Sequence, residues 1–150
     1  QWQTDCKKSH VNWAICDSTW ETKFCSVIEK HPRVMAYVKN HNLGFEVPYS
    51  HNTESRKYIP DFILLVDINQ TEPLNLVVEI KGYHGLDAEE KKSTMNTYWV
   101  PGVNNLGVYG RWAFVELQDV SNLVDDLDAY IYQELNKALD SIVIDEKKDN

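Results

Sequence analysis

Two stretches of the chain, Tyr58 to Ile68 and Leu74 to Tyr83, are almost wholly apolar and are separated by the turn-like segment "NQTEP". Apolar residues at successive rather than alternate positions predict strands buried on both faces, in the middle of a sheet. Acid nevertheless interrupts both: Asp61 lies near the start of the first stretch and Glu79 near the end of the second, with Lys81 two residues on. Removing a carboxylate from water costs several kcal/mol unless an opposite charge, hydrogen bonds or a metal ion compensates. A core built this way must supply that compensation.

Side chains alternate across a strand, so Glu79 and Lys81 project from one face while Ile80 faces the other. Pro60, a residue tolerated where a strand begins, puts Asp61 at the opening of its strand. Folding "NQTEP" into a hairpin turn brings Asp61 beside the Glu79 to Lys81 end, because both lie far from the turn. Two hard oxygen ligands on one sheet face suit Mg²⁺ or Mn²⁺, with the carbonyl of Ile80 as a further ligand and other positions left to water and a phosphate oxygen. A cation there offsets charge building on phosphorus and stabilises the leaving oxygen of a phosphodiester, while Lys81 orients or deprotonates the attacking water. The bland alternative is a cross-strand ladder of ions on a solvated face, worth about 0.2–1 kcal/mol per pair.

Around this pair the pattern predicts an α/β fold with a mixed central sheet flanked by helices. "HVNWAIC" reads as an edge strand. "DSTWETKFCSVIEK" reads as a helix, with Trp20, Phe24, Val27 and Ile28 at helical spacing and Ser18 and Glu21 as a capping box. Pro32 opens a short second helical turn through Tyr37. "GFEVPYS" and "RKYIPDFILLVDI" form a hairpin across "HNTES", and "LNLVVEIKGY" completes a three-stranded antiparallel meander. "LDAEEKKSTMNTYWV" is a helix with Ala88, Lys92, Met95 and Trp99 on one face, and "RWAFVEL" is a fourth strand, with Trp99, Trp112 and Phe114 as core residues. A final helix over about 120–140 carries a stripe of Val124, Leu127, Ile131, Leu135 and Ala138. The whole of 1–150 reads as one domain, with its core over about 10–118 and a frayed tail over about 145–150.

The formal net charge of −8 argues against binding nucleic acid by bulk electrostatics, which needs clustered Lys and Arg. It leaves room for an enzyme with a local site. No run of about 18 apolar residues exists to span a membrane and no secretory signal opens the chain, so the cytoplasm is the expected compartment. Cys6, Cys16 and Cys25 make an odd count that suits reducing conditions. Cys6 and His10 resemble half a zinc site, but no second pair at ligand spacing follows, and small buried thiols account for the cysteines. Beginning at Gln1 rather than Met, the chain reads as part of a longer polypeptide.

Pro60-Asp61 before one apolar strand and Glu79-Ile80-Lys81 on the next resemble the PD-(D/E)xK nuclease superfamily. The wider text, "HVNWAICDSTWE", "VKNHNLGFEVPY", "RKYIPDFILLVD", "PLNLVVEIKGY" and "YWVPGVNNLGVYGRWAFVEL", is similar to the C-terminal endonuclease domain of the restriction subunit of type III restriction-modification enzymes and related helicase-nucleases, from about His10 to Leu117. That resemblance implies a restriction-endonuclease-like core and a Mg²⁺-dependent endonuclease acting on double-stranded DNA, with Mn²⁺ able to substitute. It implies a helicase-like motor in the same parent chain, which would use the ATP, a methyltransferase subunit as partner, and restriction of foreign DNA as the task. By motif, Asp61 and Glu79 become metal ligands and Lys81 the catalytic lysine. Glu21 in "WETK" stands where many members place a further acid, although its capping-box role explains it equally. Lys91 and Lys92 could touch a backbone phosphate or lie on a solvated face, and Tyr83 could contact DNA or end its strand. A nuclease-like fold serving as a silent interaction module, and an RNA nuclease, are the rival readings.

Overall fold

The computed structural model describes residues 2–5, 7–9, 13–14, 16, 19–80, 87–118 and 120–148. Cys6, His10, Ser18, Lys81 and Tyr83 lie outside the described residues, as does most of the predicted strand over 10–16. In chain order the elements are β1 Trp2–Gln3, β2 Trp13–Ala14, α1 Thr19–Lys30, β3 Val34–Lys39, β4 Val47–His51, β5 Glu54–Tyr58, β6 Phe62–Val66, β7 Leu74–Ile80, α2 Ala88–Thr94, a π-helical turn Met95–Trp99, α3 Val100–Leu106, β8 Arg111–Leu117 and α4 Leu123–Lys148.

A four-stranded mixed sheet in the order β3-β6-β7-β8 forms the middle layer. β3, β6 and β7 are successively antiparallel, and β8 returns parallel to β7. The return is made by α2, the π turn and α3, the helical crossover that parallel neighbours require. Both faces of β7 are covered, with Leu74, Leu76, Val77 and Val78 all fully buried, as its unbroken apolar run predicts. On one face Phe24, Cys25 and Ile28 of α1 and Leu123, Leu127 and Ile131 of α4 meet Phe62, Leu64, Leu76 and Val78. On the other, Val47, Tyr49 and Tyr58 of the β4–β5 hairpin join Met95, Val77 and Phe114, with Phe45, Trp99 and Trp112 half-buried around them. Among the described residues no helix is long and apolar enough to cross a membrane.

Four expectations need correction. Residues after Pro32 form strand β3, not a helical turn: Val34, Tyr37 and Lys39 face the interior, with a register shift between Val34 and Ala36, while antiparallel pairing with β6 satisfies the backbone. The run "RKYIPDFILLVDI" is two strands, because Pro60 brings no N–H to a ladder and the chain breaks between Tyr58 and Phe62. Consequently β4 and β5 form a separate two-stranded sheet, and β6 takes β3, not the hairpin, as its second neighbour. Their turn places Asn52 and Thr53 at φ of 49° and 66°, the left-handed pair that tight hairpins demand. The last helix runs to Lys148, into the expected tail, and its inward stripe takes Leu123 and Glu134 while Val124 is exposed. Glu134 is tolerated there because Lys137 at 3.1 Å and Arg111 at 3.9 Å offset its charge.

Candidate active site

The antiparallel register of β6 against β7 pairs Phe62 with Val78, so the residue before Phe62 meets the residue after Val78. Asp61 and Glu79 therefore come together at one end of the ladder, where the sequence places them. Asp61 is anchored from three directions. Its Oδ2 accepts the backbone N–H of Ile80 at 2.8 Å. Its carbonyl accepts the N–H of Asn40 at 2.8 Å. The buried Asn40 side chain donates to the carbonyls of Pro60 and Phe45, both at 2.9 Å, clasping the break between the two strands.

Lys39, the last residue of β3, lies across this end of the sheet with its side chain only 5% exposed. Its Nζ is 2.7 Å from Glu21 Oε1 and 3.4 Å from Asp61 Oδ1. The ammonium also stands 5.2 Å from the Phe62 ring centre. Glu21 is brought to it by α1, which turns Glu21, Phe24, Cys25 and Ile28 toward the sheet at helical spacing. On the far side, Tyr58 donates its hydroxyl to Glu79 Oε2 at 2.7 Å. Lys91 of α2 rests over the rings of Tyr58 and Tyr49, at 5.4 Å and 5.8 Å, and pairs with Asp87 at 3.7 Å.

The electrostatics follow this layout. Burial, and then the charge of Asp61, push the Glu79 carboxyl up to about 8; the Tyr58 hydrogen bond and the charge of Lys91 pull against that rise. Asp61 is also raised, by burial, against the restraint of the Ile80 N–H and Lys39. Burial pulls the Lys39 ammonium down, but its bonds to Glu21 and Asp61 prevail and its pKa is raised. Burial and the neighbouring Glu79 drive the Tyr58 phenol upward, so it remains a donor.

The donor set fits a hard divalent cation. Two carboxylates held together against their own repulsion gain most from a positive charge between them. Among the described residues no three His, Cys, Asp or Glu side chains are grouped to hold an ion, so a cation placed here would take two carboxylates, those of Asp61 and Glu79, from the described side chains.

Residues 7–98 match the family described as Endonuclease domain. The chain belongs to this endonuclease family. No curated protein and no solved structure matches it. The match runs from before α1 into the π turn and so includes every element that carries the acid pair, Lys39, Glu21 and Tyr58. The fold agrees with a restriction-endonuclease-like core, and the expected nuclease superfamily is borne out.

Of the residues picked from sequence, Asp61 and Glu79 converge and the Ile80 backbone joins them. Glu21 reaches the site both through Lys39 and by acting directly on Asp61. Lys91 lies beside Tyr58 on the Glu79 side, whereas Lys92 is exposed on α2. Lys39, Asn40 and Tyr58 are site residues that the sequence reading missed. None carries a usable signal by itself: Lys39 closes an apolar strand, but its place depends on the pairing of β3 with β6.

Proposed function

We propose that this endonuclease domain hydrolyses phosphodiester bonds of double-stranded DNA by direct attack of water, using Mg²⁺ or Mn²⁺ held by Asp61 and Glu79. The observation that carries this reading is the enforced proximity of those two carboxylates at the end of buried strands, with Glu79 pushed up to about 8. A ladder of alternating charges would set a cation between Asp61 and Glu79; among the described residues Lys39 sits on the other side of Asp61, and the two carboxylates act on each other directly. The bound cation would offset charge at the phosphorus and the leaving oxygen. Ile80 fixes the direction of Asp61 through its N–H, and its carbonyl would be a further ligand of the cation. Tyr58 orients Glu79 by donating to it. Lys81 takes the role of catalytic lysine, aligning the attacking water, and Lys91, Lys92 and Tyr83 contribute to holding the DNA backbone. The parent assembly is a cytoplasmic type III restriction-modification enzyme or related helicase-nuclease, with an ATP-driven motor and a methyltransferase partner acting against foreign DNA.

The test is nicking of supercoiled plasmid with Mg²⁺, with chelator, and with Glu79→Ala. Metal-dependent cutting by the wild type and its loss in the variant are expected; equal cutting by both would refute the assignment. Substituting duplex RNA separates the RNA reading. A silent interaction module is the second reading, favoured by the outer half of α4, where Leu139, Ile142 and Val143 are exposed. A module of that kind should gain no thermal stability from Mn²⁺, whereas a metal site gains it through linkage.

A further inference from the structure

Glu21, Asp61 and Glu79 make two carboxylate pairs that share Asp61: Lys39 bridges Glu21 and Asp61, and the charge of Asp61 acts on Glu79. Each pair is a gap that a cation can bridge. Among the described residues the first gap is filled by an ammonium and the second by no cation bridging both acids. A buried lysine at such a place is expensive unless its charge is used, and its side chain is among the least exposed of any charged group in the fold. Its position is fixed by the main chain. Lys39 pairs with Phe62 across the β3–β6 ladder, and the next N–H, that of Asn40, bonds the carbonyl of Asp61.

We propose that Lys39 is a positioning residue for the metal site: by filling the gap between Glu21 and Asp61 it confines a divalent cation to the gap between Asp61 and Glu79. This rests on the reading of Asp61 and Glu79 as the metal-binding pair. Lys39 lies 3.4 Å from Asp61 Oδ1 while the Ile80 N–H donates to Oδ2 at 2.8 Å, so both carboxylate oxygens are held and each keeps a further lone pair for a cation. Glu21 thereby serves as the counter-ion of Lys39 and is withheld from the cation.

The consequence is unusual for a positioning residue: removing it should strengthen cation binding while harming turnover. Lys39→Met keeps most of the buried stem and deletes the charge. Glu21 and Asp61 then form a second carboxylate gap. Titrating MnCl₂ into the protein by calorimetry, we expect apparent affinity to rise about tenfold in Lys39→Met. Plasmid nicking should fall about 100-fold, because the cation is drawn away from Glu79. Adding Glu21→Gln to Lys39→Met closes the second gap and should return affinity to within about threefold of wild type, with about tenfold of the lost rate regained. Lys39→Arg, which keeps the charge, should bind Mn²⁺ within about threefold of wild type.

Equal or weaker Mn²⁺ binding by Lys39→Met overturns the proposal, as does a double variant that binds as the single one does. Should Lys39→Met fail to fold, the double variant decides, since it removes both partners of the buried pair together. It must then bind Mn²⁺ like the wild type, and weaker binding sinks the idea. Absence of Mn²⁺ binding by the wild type, or undiminished binding by Asp61→Ala, would instead strike the Asp61 and Glu79 reading.

Discussion

Two aspartates flank the same strand, and they have opposite fates. Asp61 precedes β6 and Asp67 follows it. Asp67 is exposed, its Oδ1 accepts the N–H of Asn69 at 2.9 Å, and its main chain is held by Arg33 through bonds of 2.8 Å and 3.2 Å. Water and a local turn satisfy it completely. Asp61, with 19% of its side chain exposed, has a hydrogen bond and an ammonium on its oxygens and is still pressed against Glu79. An acid at the edge of an apolar strand is therefore uninformative by itself. What marks a site is an acid whose surroundings leave it under-compensated, because that unbalanced charge is available to a ligand.

The sharpest way to break the comparison is to delete each acid. Asp61→Ala should lower plasmid nicking by at least about 1000-fold, the scale on which removal of electrostatic groups acting on a transition state is felt. Asp67→Ala should remain within about twofold of wild type, since nothing it touches belongs to the site. Equal loss in both would mean that strand β6, and not the chemistry at one of its ends, is what the substitutions probe.

The next effect is on stability. A carboxyl whose folded pKa is raised binds its proton more tightly in the folded chain than in the unfolded one. Its contribution is present at low pH and lost as pH climbs from the ordinary glutamate value toward about 8. Metal-free protein should thus become less stable over that interval, by about 1–3 kcal/mol once partial screening by solvent is allowed for. Mn²⁺ should flatten the profile, and Glu79→Gln should flatten it without metal. Urea melts at several pH values read this directly, and a profile that rises across the same window would show that Asp61 and Glu79 do not repel.

Tyr58 offers a smaller and more selective probe. Its hydroxyl bonds the ionised form of Glu79, so Tyr58→Phe should raise the Glu79 pKa further and move the onset of nicking to higher pH. A rate loss of about three- to tenfold below pH 8, recovered above it, is expected. A loss independent of pH would place Tyr58 in packing alone.

The meeting of Asp61 and Glu79 was legible from sequence because it depends on local facts: Pro60 starts a strand, "NQTEP" turns, and two apolar runs fix which residues face each other. Lys39 was not legible. It earns its place through the pairing of β3 with β6, a contact between distant segments that no periodicity encodes, and "YVKNHN" by itself looks like the polar end of an element. The same distant contact turns the residues after Pro32 into a strand, although a proline there locally favours a helix start. With β3 unrecognised, β6 had the hairpin as its only available neighbour. Membership in the endonuclease family narrows the chemistry but does not supply these pairings.

The weakest effect tests the quiet half of the comparison. Asp67→Ala removes the acceptor of the Asn69 N–H, and Asn69 holds a left-handed φ of 57° at the turn into β7. Arg33 keeps its bonds to the Asp67 carbonyl and the Asn69 side chain, so the turn loses one exposed hydrogen bond and nothing is left buried without a partner. The cost should be about 0.5–1 kcal/mol in a urea melt, independent of Mn²⁺. If that loss were to vanish when Mn²⁺ is added, Asp67 would be coupled to the cation through β6, and the two ends of the strand would not be energetically separate after all.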